Sequence, residues 1–222
     1  MKINIVRLGK IEYQKALEIQ TVLQKKRQEN QIDNTLLLLE HFPVITLGTR
    51  GKTDNIYLPK SELIKNNIEV VNVNRGGDVT YHGLGQIVGY PIFDLRDVNR
   101  DIKLFLQKIE QTILDLLYFE YNIKAYTESG KFTGVWVDDK KITAIGISVS
   151  KSVTMHGFAF NVNTNLDHFK WINPCGLNKG VTSVKDITGR EQDMDKMFTL
   201  VQKYFEKQFD TNANIISINE LL

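Results

Sequence analysis

The chain holds one cysteine, Cys175, inside the tetrapeptide Asn173-Pro174-Cys175-Gly176. A turn bounded by proline and glycine belongs at the surface, whereas an unreactive free cysteine more often fills a core as a small hydrophobe. The placement therefore raises the reading of a working thiol. A thiol becomes a good nucleophile when a neighbouring cation lowers its pKa from about 8.5. Lys140, Lys141, His82 and His156 are the candidates for that neighbour. The two lysines open the run KKITAIGISV, residues 140–149, where Ala144 and Gly146 are small residues of the kind that let a ligand or a second backbone pack close to a strand. Strand parity places Lys140 with Ala144 and Gly146, and Lys141 with Ile145 and Ile147; it does not say which face borders a pocket.

Two further stretches carry similar chemistry. In NRGGDVTYHGLGQ, residues 74–86, four glycines (Gly76, Gly77, Gly83 and Gly85) lie between two apolar runs, with Arg75 and His82 at either end of the motif. Glycines there let backbone N–H groups approach a ligand, and Arg75 and His82 add a donor fork and a titratable ring. The spacing matches neither phosphate-binding glycine motif. In MHGFAFNV, His156 stands beside Gly157 and Ala159, again a polar group next to small residues. One cysteine and four scattered histidines show no metal-ligand spacing.

These residues need a scaffold. At 222 residues with 42% hydrophobic and 24% charged side chains, the chain can bury a core without disulfides or metals. No linker, repeat or low-complexity segment divides it, which predicts one domain over 1–222. A net charge of +2 argues against phosphate-driven nucleic-acid binding, although the first third is modestly basic and could steer an acidic partner. A single cysteine, no leader-like apolar run and no ~20-residue apolar stretch point to the cytoplasm and away from membranes.

The apolar positions Tyr13, Ala16, Leu17 and Leu23 predict a helix over 12–30, interrupted by a polar residue, Gln20. Strands are predicted at 35–41, 44–48, 68–73 and 86–95, in KFTGVWVD, in KITAIGISV and in VTMHGFAFNV, with a short helix from Ser61. Asn99 is the predicted cap of a long helix through Tyr121 with Ile102, Phe105, Leu106, Ile109, Ile113, Leu116 and Leu117 on one stripe, and a last helix covers 191–209. Strands set between separated helices predict an α+β class with a mixed or antiparallel sheet.

Taken together, RGGDVTYHGLGQ, GVWV…KKITAIG and MHGFAFNVNTNL…INPCG resemble the lipoyl(octanoyl) transferases of lipoate biosynthesis over roughly residues 35–185. The resemblance implies an α+β catalytic domain like that of biotin and lipoate protein ligases, a mixed β-sheet with flanking helices. It implies an ATP-independent acyltransferase without cofactor or metal. Octanoyl would pass from octanoyl-acyl carrier protein, through a thioester on Cys175, to the lipoyl-domain lysine of 2-oxoacid dehydrogenases and of the glycine cleavage H protein. By the same resemblance Lys141, the lysine directly before Ile142, is catalytic together with Cys175. The acyl site carries over to Arg75, Gly76, Gly77, Asp78, Val79, Thr80, Tyr81 and His82, to Ala144, Ile145 and Gly146, and to Gly157, Phe158 and Ala159. Leu84 stands where the family motif has proline, which removes a φ restraint and no reactive group.

Overall fold

A computed structural model describes residues 1–128, 130–173 and 180–222. In chain order the elements are β1 (Ile3–Ile11), α1 (Tyr13–Gln28), β2 (Asn34–His41), β3 (Val44–Leu47), α2 (Lys60–Lys65), β4 (Glu69–Asn72), β5 (Val79–His82) and β6 (Gln86–Ile92). There follow α3 (Ile102–Tyr121), β7 (Tyr126–Glu128), β8 (Gly134–Val137), β9 (Lys140–Ser150) and β10 (Val153–Asn161). The last are α4 (Val184–Thr188), α5 (Met194–Phe209) and β11 (Asn214–Ile215).

The long sheet runs β11-β1-β2-β6-β10-β9-β8-β7, and a smaller one runs β4-β3-β5. β1 pairs in parallel with β11 and β2, and the pairs from β2 to β7 are antiparallel. The fold is therefore α+β with a mixed sheet and flanking helices. β2, β6 and β10 are buried along their whole length, which explains why NTLLLLEH and QIVGYPI read as continuous apolar runs rather than alternating ones. On one side α3 and α5 cover the sheet with Phe105, Phe205 and Phe209, which cluster with Phe93 just after β6. On the other side α1 contributes Ala16 and Leu23 against Val88, Tyr90 and Ala159.

Several elements differ from the sequence reading: β6 ends at Ile92 rather than at residue 95, β5, β7 and β11 were not predicted, and three further differences have a clear physical cause. The cap of α3 is Asp101, whose carboxylate accepts from Lys103 N and Leu104 N. Asn99 instead takes a left-handed conformation that ends the preceding 3-10 turn. A carboxylate is the better group against the positive end of a helix. The last helix starts at Met194, capped by Asp193, because that side chain accepts from Lys196 N. β1 lacked a predicted strand; its core-facing residues Ile3, Ile5 and Val6 become legible only once β2 lies beside them. Among the described residues, no helix is long and apolar enough to cross a membrane.

Candidate functional site

The first half of the Gly-rich stretch, residues 74–78, is a loop between β4 and β5, and the arginine near its start works inward. Arg75 is buried. Its Nη2 donates to Thr46 O, Thr46 Oγ1 and Asp78 O, and its Nη1 to Gly76 O. One guanidinium thus gathers the loop onto β3, since a planar fork can satisfy several carbonyls at once. Asp78 closes the other end: one carboxylate oxygen accepts from Val79 N at 2.7 Å, the other from Asn55 Nδ2 at 2.7 Å. Gly76 N then donates to Ile147 O of β9 at 3.0 Å. A Cβ on Gly146 would come within 2.7 Å of Gly76 O, so the loop seats on β9 only because Gly146 is glycine.

Between this loop, the strands and the helices lies a cavity of about 340 Å³. The loop and β5 supply Arg75, Gly76, Gly77, Asp78, Val79, Thr80 and His82 to its wall; β9 supplies Lys141, Ala144, Ile145 and Gly146; β10 supplies Gly157, Phe158 and Ala159. Tyr81 is absent from the wall. Its ring packs edge-on to Phe169 and Trp171, and its hydroxyl meets His168 Nδ1 at 2.6 Å. Tyr81's neighbours in β5 reach the wall while it turns into the small cluster behind. Ile102 and Leu106, expected on the packing stripe of α3, also border the cavity, and Ile102 is exposed.

Lys141 is half-buried. Its Nζ lies 3.3 Å from Thr133 O and 4.8 Å from the centroid of Trp136. Lys140 is exposed and off the wall. Parity grouped Lys140 with Ala144 and Gly146, and Lys141 with Ile145 and Ile147; the cavity wall takes Lys141 together with all four of those strand residues. The β8–β9 register slips by one residue between Val135 and Trp136, so Lys141 rather than Lys140 shares the cavity with Ala144. A bulge of this kind re-aims a side chain without breaking the strand. The backbone of Lys141 also holds the chain that follows Cys175: its N–H donates to Gly180 O at 2.9 Å, and its carbonyl accepts from Thr182 N at 3.0 Å. Before that segment, Asn173 N donates to Asn55 O. Cys175 itself, with the rest of 174–179, lies outside the described residues.

Another part of the wall carries neutral polar groups. His82 Nδ1 lies 2.8 Å from Gln86 Oε1, and Gln86 Nε2 donates to Asn161 Oδ1, whose amide donates to Thr182 O. Burial, then the nearby His41, holds the His82 ring well below the usual imidazole range. The ring is neutral at pH 7, and so deep a depression makes it a weak proton acceptor. His41 Nδ1 meets Ile11 O at 3.0 Å and its Nε2 meets the Tyr90 hydroxyl at 2.7 Å; burial pushes its pKa down to about 4. Tyr13 stacks with His82, and burial pushes its phenol up to about 12. The sequence reading named neither His41 nor Tyr90, and took Tyr13 only as an apolar position of the first helix. Their only signal was a polar residue inside an apolar run, as in LEHF and VGYP.

Such an arrangement can hold an acyl chain of moderate length between β9, β10 and the loop, with an amine and backbone donors at one end. Comparisons with known proteins give the family. Residues 12–206 match the family described as the lipoyl protein ligase A/B catalytic domain. An octanoyltransferase of Caldicellulosiruptor saccharolyticus is 52% identical over 222 residues, which is 100% of this chain and 94% of that protein. One of Desulforamulus reducens is 50% identical over 100% of this chain and 97% of its own length. Among solved structures, a lipoate-protein ligase A superposes with a TM-score of 0.77 at 15% identity, covering 100% of this chain and 92% of the other. A biotin protein ligase from Aquifex aeolicus gives 0.52 at 14% identity over 94% and 69%. These two likenesses concern the fold.

Proposed function

We propose, from the premise that this chain belongs to the lipoyl protein ligase A/B catalytic-domain family and within it to the octanoyltransferases, a two-step transfer of octanoyl without ATP. The donor is octanoyl-acyl carrier protein. The acceptor is the lysine of a lipoyl domain, in 2-oxoacid dehydrogenases and in the glycine cleavage H protein. The whole chain, 1–222, acts as one catalytic domain.

In the first step the Cys175 thiolate attacks the donor's thioester carbonyl. The carrier's thiolate leaves and takes a proton from the Lys141 ammonium, which becomes a neutral amine. One thioester replaces another, so the step is close to isoenergetic. In the second step the acceptor's amine attacks acyl-Cys175 and gives its proton to Lys141 as the Cys175 thiolate departs. An amide replaces a thioester, which drives the transfer and restores the starting charges. Backbone N–H groups at Gly76–Gly77 or Cys175–Gly176 are the available oxyanion donors. Burying the eight-carbon tail contributes roughly 5 kcal/mol at about 0.8 kcal/mol per methylene.

The observation that carries this reading is the double use of Lys141. Its side chain enters the cavity wall while its peptide group holds the chain five residues beyond Cys175. The test is intact-mass analysis of the protein mixed with octanoyl-acyl carrier protein and no ATP. One octanoyl increment is expected on the parent and none on Cys175→Ala. Transfer that requires ATP, with no adduct on the parent, would favour an acid-activating ligase of the same fold.

A further inference from the structure

Gln20 is the polar break in the apolar stripe of α1, and it is buried among Tyr13, Ala16 and Leu23. An amide in that position is costly unless it is hydrogen-bonded. Its Oε1 accepts the backbone N–H of His156 at 2.9 Å. That N–H is available because β10 leaves its ladder with β6 after Phe158↔Gly89. Further along, β6 offers Pro91, which has no N–H to give, and Thr154 takes over with its hydroxyl on Pro91 O and its N–H on Phe93 O. In the gap His156 adopts φ +60°, although it stays in register with Ile147 of β9. A left-handed conformation costs a non-glycine residue about 1 kcal/mol or more and survives where the surroundings impose it.

The kink sets the His156 ring in the cavity wall. Its Nε2 lies 2.7 Å from Asn74 Oδ1, the residue directly before Arg75. A carbonyl oxygen only accepts, so Nε2 carries the proton, and Nδ1 is buried with no partner among the described residues. Burial, followed by the charge of Arg75, pushes the ring down to about 4, so it is neutral at pH 7. Two tethers therefore fasten the loop to the β9–β10 ladder within three residues: Asn74 to His156, and Gly76 N to the carbonyl of Ile147, the strand partner of His156.

We propose that Gln20 and His156 are positioning residues for the Gly-rich loop. Gln20 imposes the kink, the kink turns the ring toward Asn74, and the ring fixes the root of Arg75-Gly76-Gly77 over Gly146. The inference takes its kinetic readout from the octanoyl-transfer reading, so one measurement independent of activity accompanies it.

The variants are His156→Gly, Asn74→Ala, their double, Gln20→Leu and Gln20→Glu. His156→Gly keeps the left-handed backbone without strain and removes only the ring; Asn74 is exposed, so Asn74→Ala leaves the core intact. Expected for both is a melting temperature within a few degrees of the parent and a roughly tenfold fall in kcat/KM for the octanoyl donor. The preference for octanoyl over decanoyl narrows, and the double variant falls no further than either single one. Gln20→Glu, which keeps an acceptor, loses less than Gln20→Leu. Amide hydrogen exchange at Gly76 and Gly77 speeds up in His156→Gly and Asn74→Ala. Parent-like exchange and selectivity in both, or additive losses in the double, overturn the proposal. The exchange result stands even if Cys175→Ala leaves acylation intact and the transfer reading fails.

Discussion

The two faces of the long sheet are stabilised by different means. Against α3 and α5, Phe93, Phe105, Phe205 and Phe209 pack ring on ring, with centroids 4.3 to 5.9 Å apart. Against α1, the buried groups include Gln20, His41, Tyr90 and His156, each joined to a named partner. The first face is stabilised by area and dispersion, which tolerate reshuffling at constant volume. The second is conditional, because a buried polar group that loses its partner keeps the full desolvation cost. The cavity borders the conditional face through Tyr13, His82, Tyr90 and His156, and α3 through Ile102 and Leu106, so groups that orient substrate share a medium with groups that must remain uncharged.

The sharpest way to divide the two is at the amine. Lys141→Ala is expected to lower the turnover of octanoyl transfer by roughly 10²- to 10⁴-fold with little change in melting temperature, while Lys140→Ala stays near the parent in both. The reverse pattern would mean that the register slip between β8 and β9 had been assigned to the wrong lysine. Phe105→Ala tests the other face: about 3–5 kcal/mol of stability is lost in a urea titration, and KM for the acyl donor is unchanged. A matching loss of activity in the folded fraction would blur the division.

Acid separates the faces next. The His41 and His156 rings sit near 4 in the folded protein and near 6.5 when unfolded. The unfolded chain therefore binds more protons between those values, and stability falls as pH drops from about 6.5 toward 4, by up to about 3 kcal/mol per ring. Urea midpoints at pH 7 and pH 4.5 measure the slope, which should shrink in His156→Gly. The smallest effect is expected at Leu84, exposed and next to Gly85 at φ +79°. Leu84→Pro restores a φ restraint and should add about 0.5 kcal/mol of stability without altering kcat.

Much of the cavity wall could be read in advance because its residues cluster in short motifs: Arg75 to His82, Lys141 to Gly146, Gly157 to Ala159. What escaped depends on partners far along the chain. Nothing in YQKALEIQ says that Gln20 answers a strand kink 136 residues away. Parity alone did not choose between Lys140 and Lys141, because a one-residue slip in pairing has no local signature. Tyr81 was grouped with its motif, yet the aromatic cluster of Phe169 and Trp171 drew it away from the cavity. The cap of α3 moved from Asn99 to Asp101 because two capping residues stand close together and only the folded turn chooses between them.

Among the described residues, the clip between Lys141 and the chain around Gly180 is made by peptide groups. It is therefore indifferent to the identity of residue 141. Truncating that side chain removes the amine and leaves the neighbouring strand moored, so the truncated protein keeps a prepared socket in which a small alkylamine from solution can stand in for the missing one.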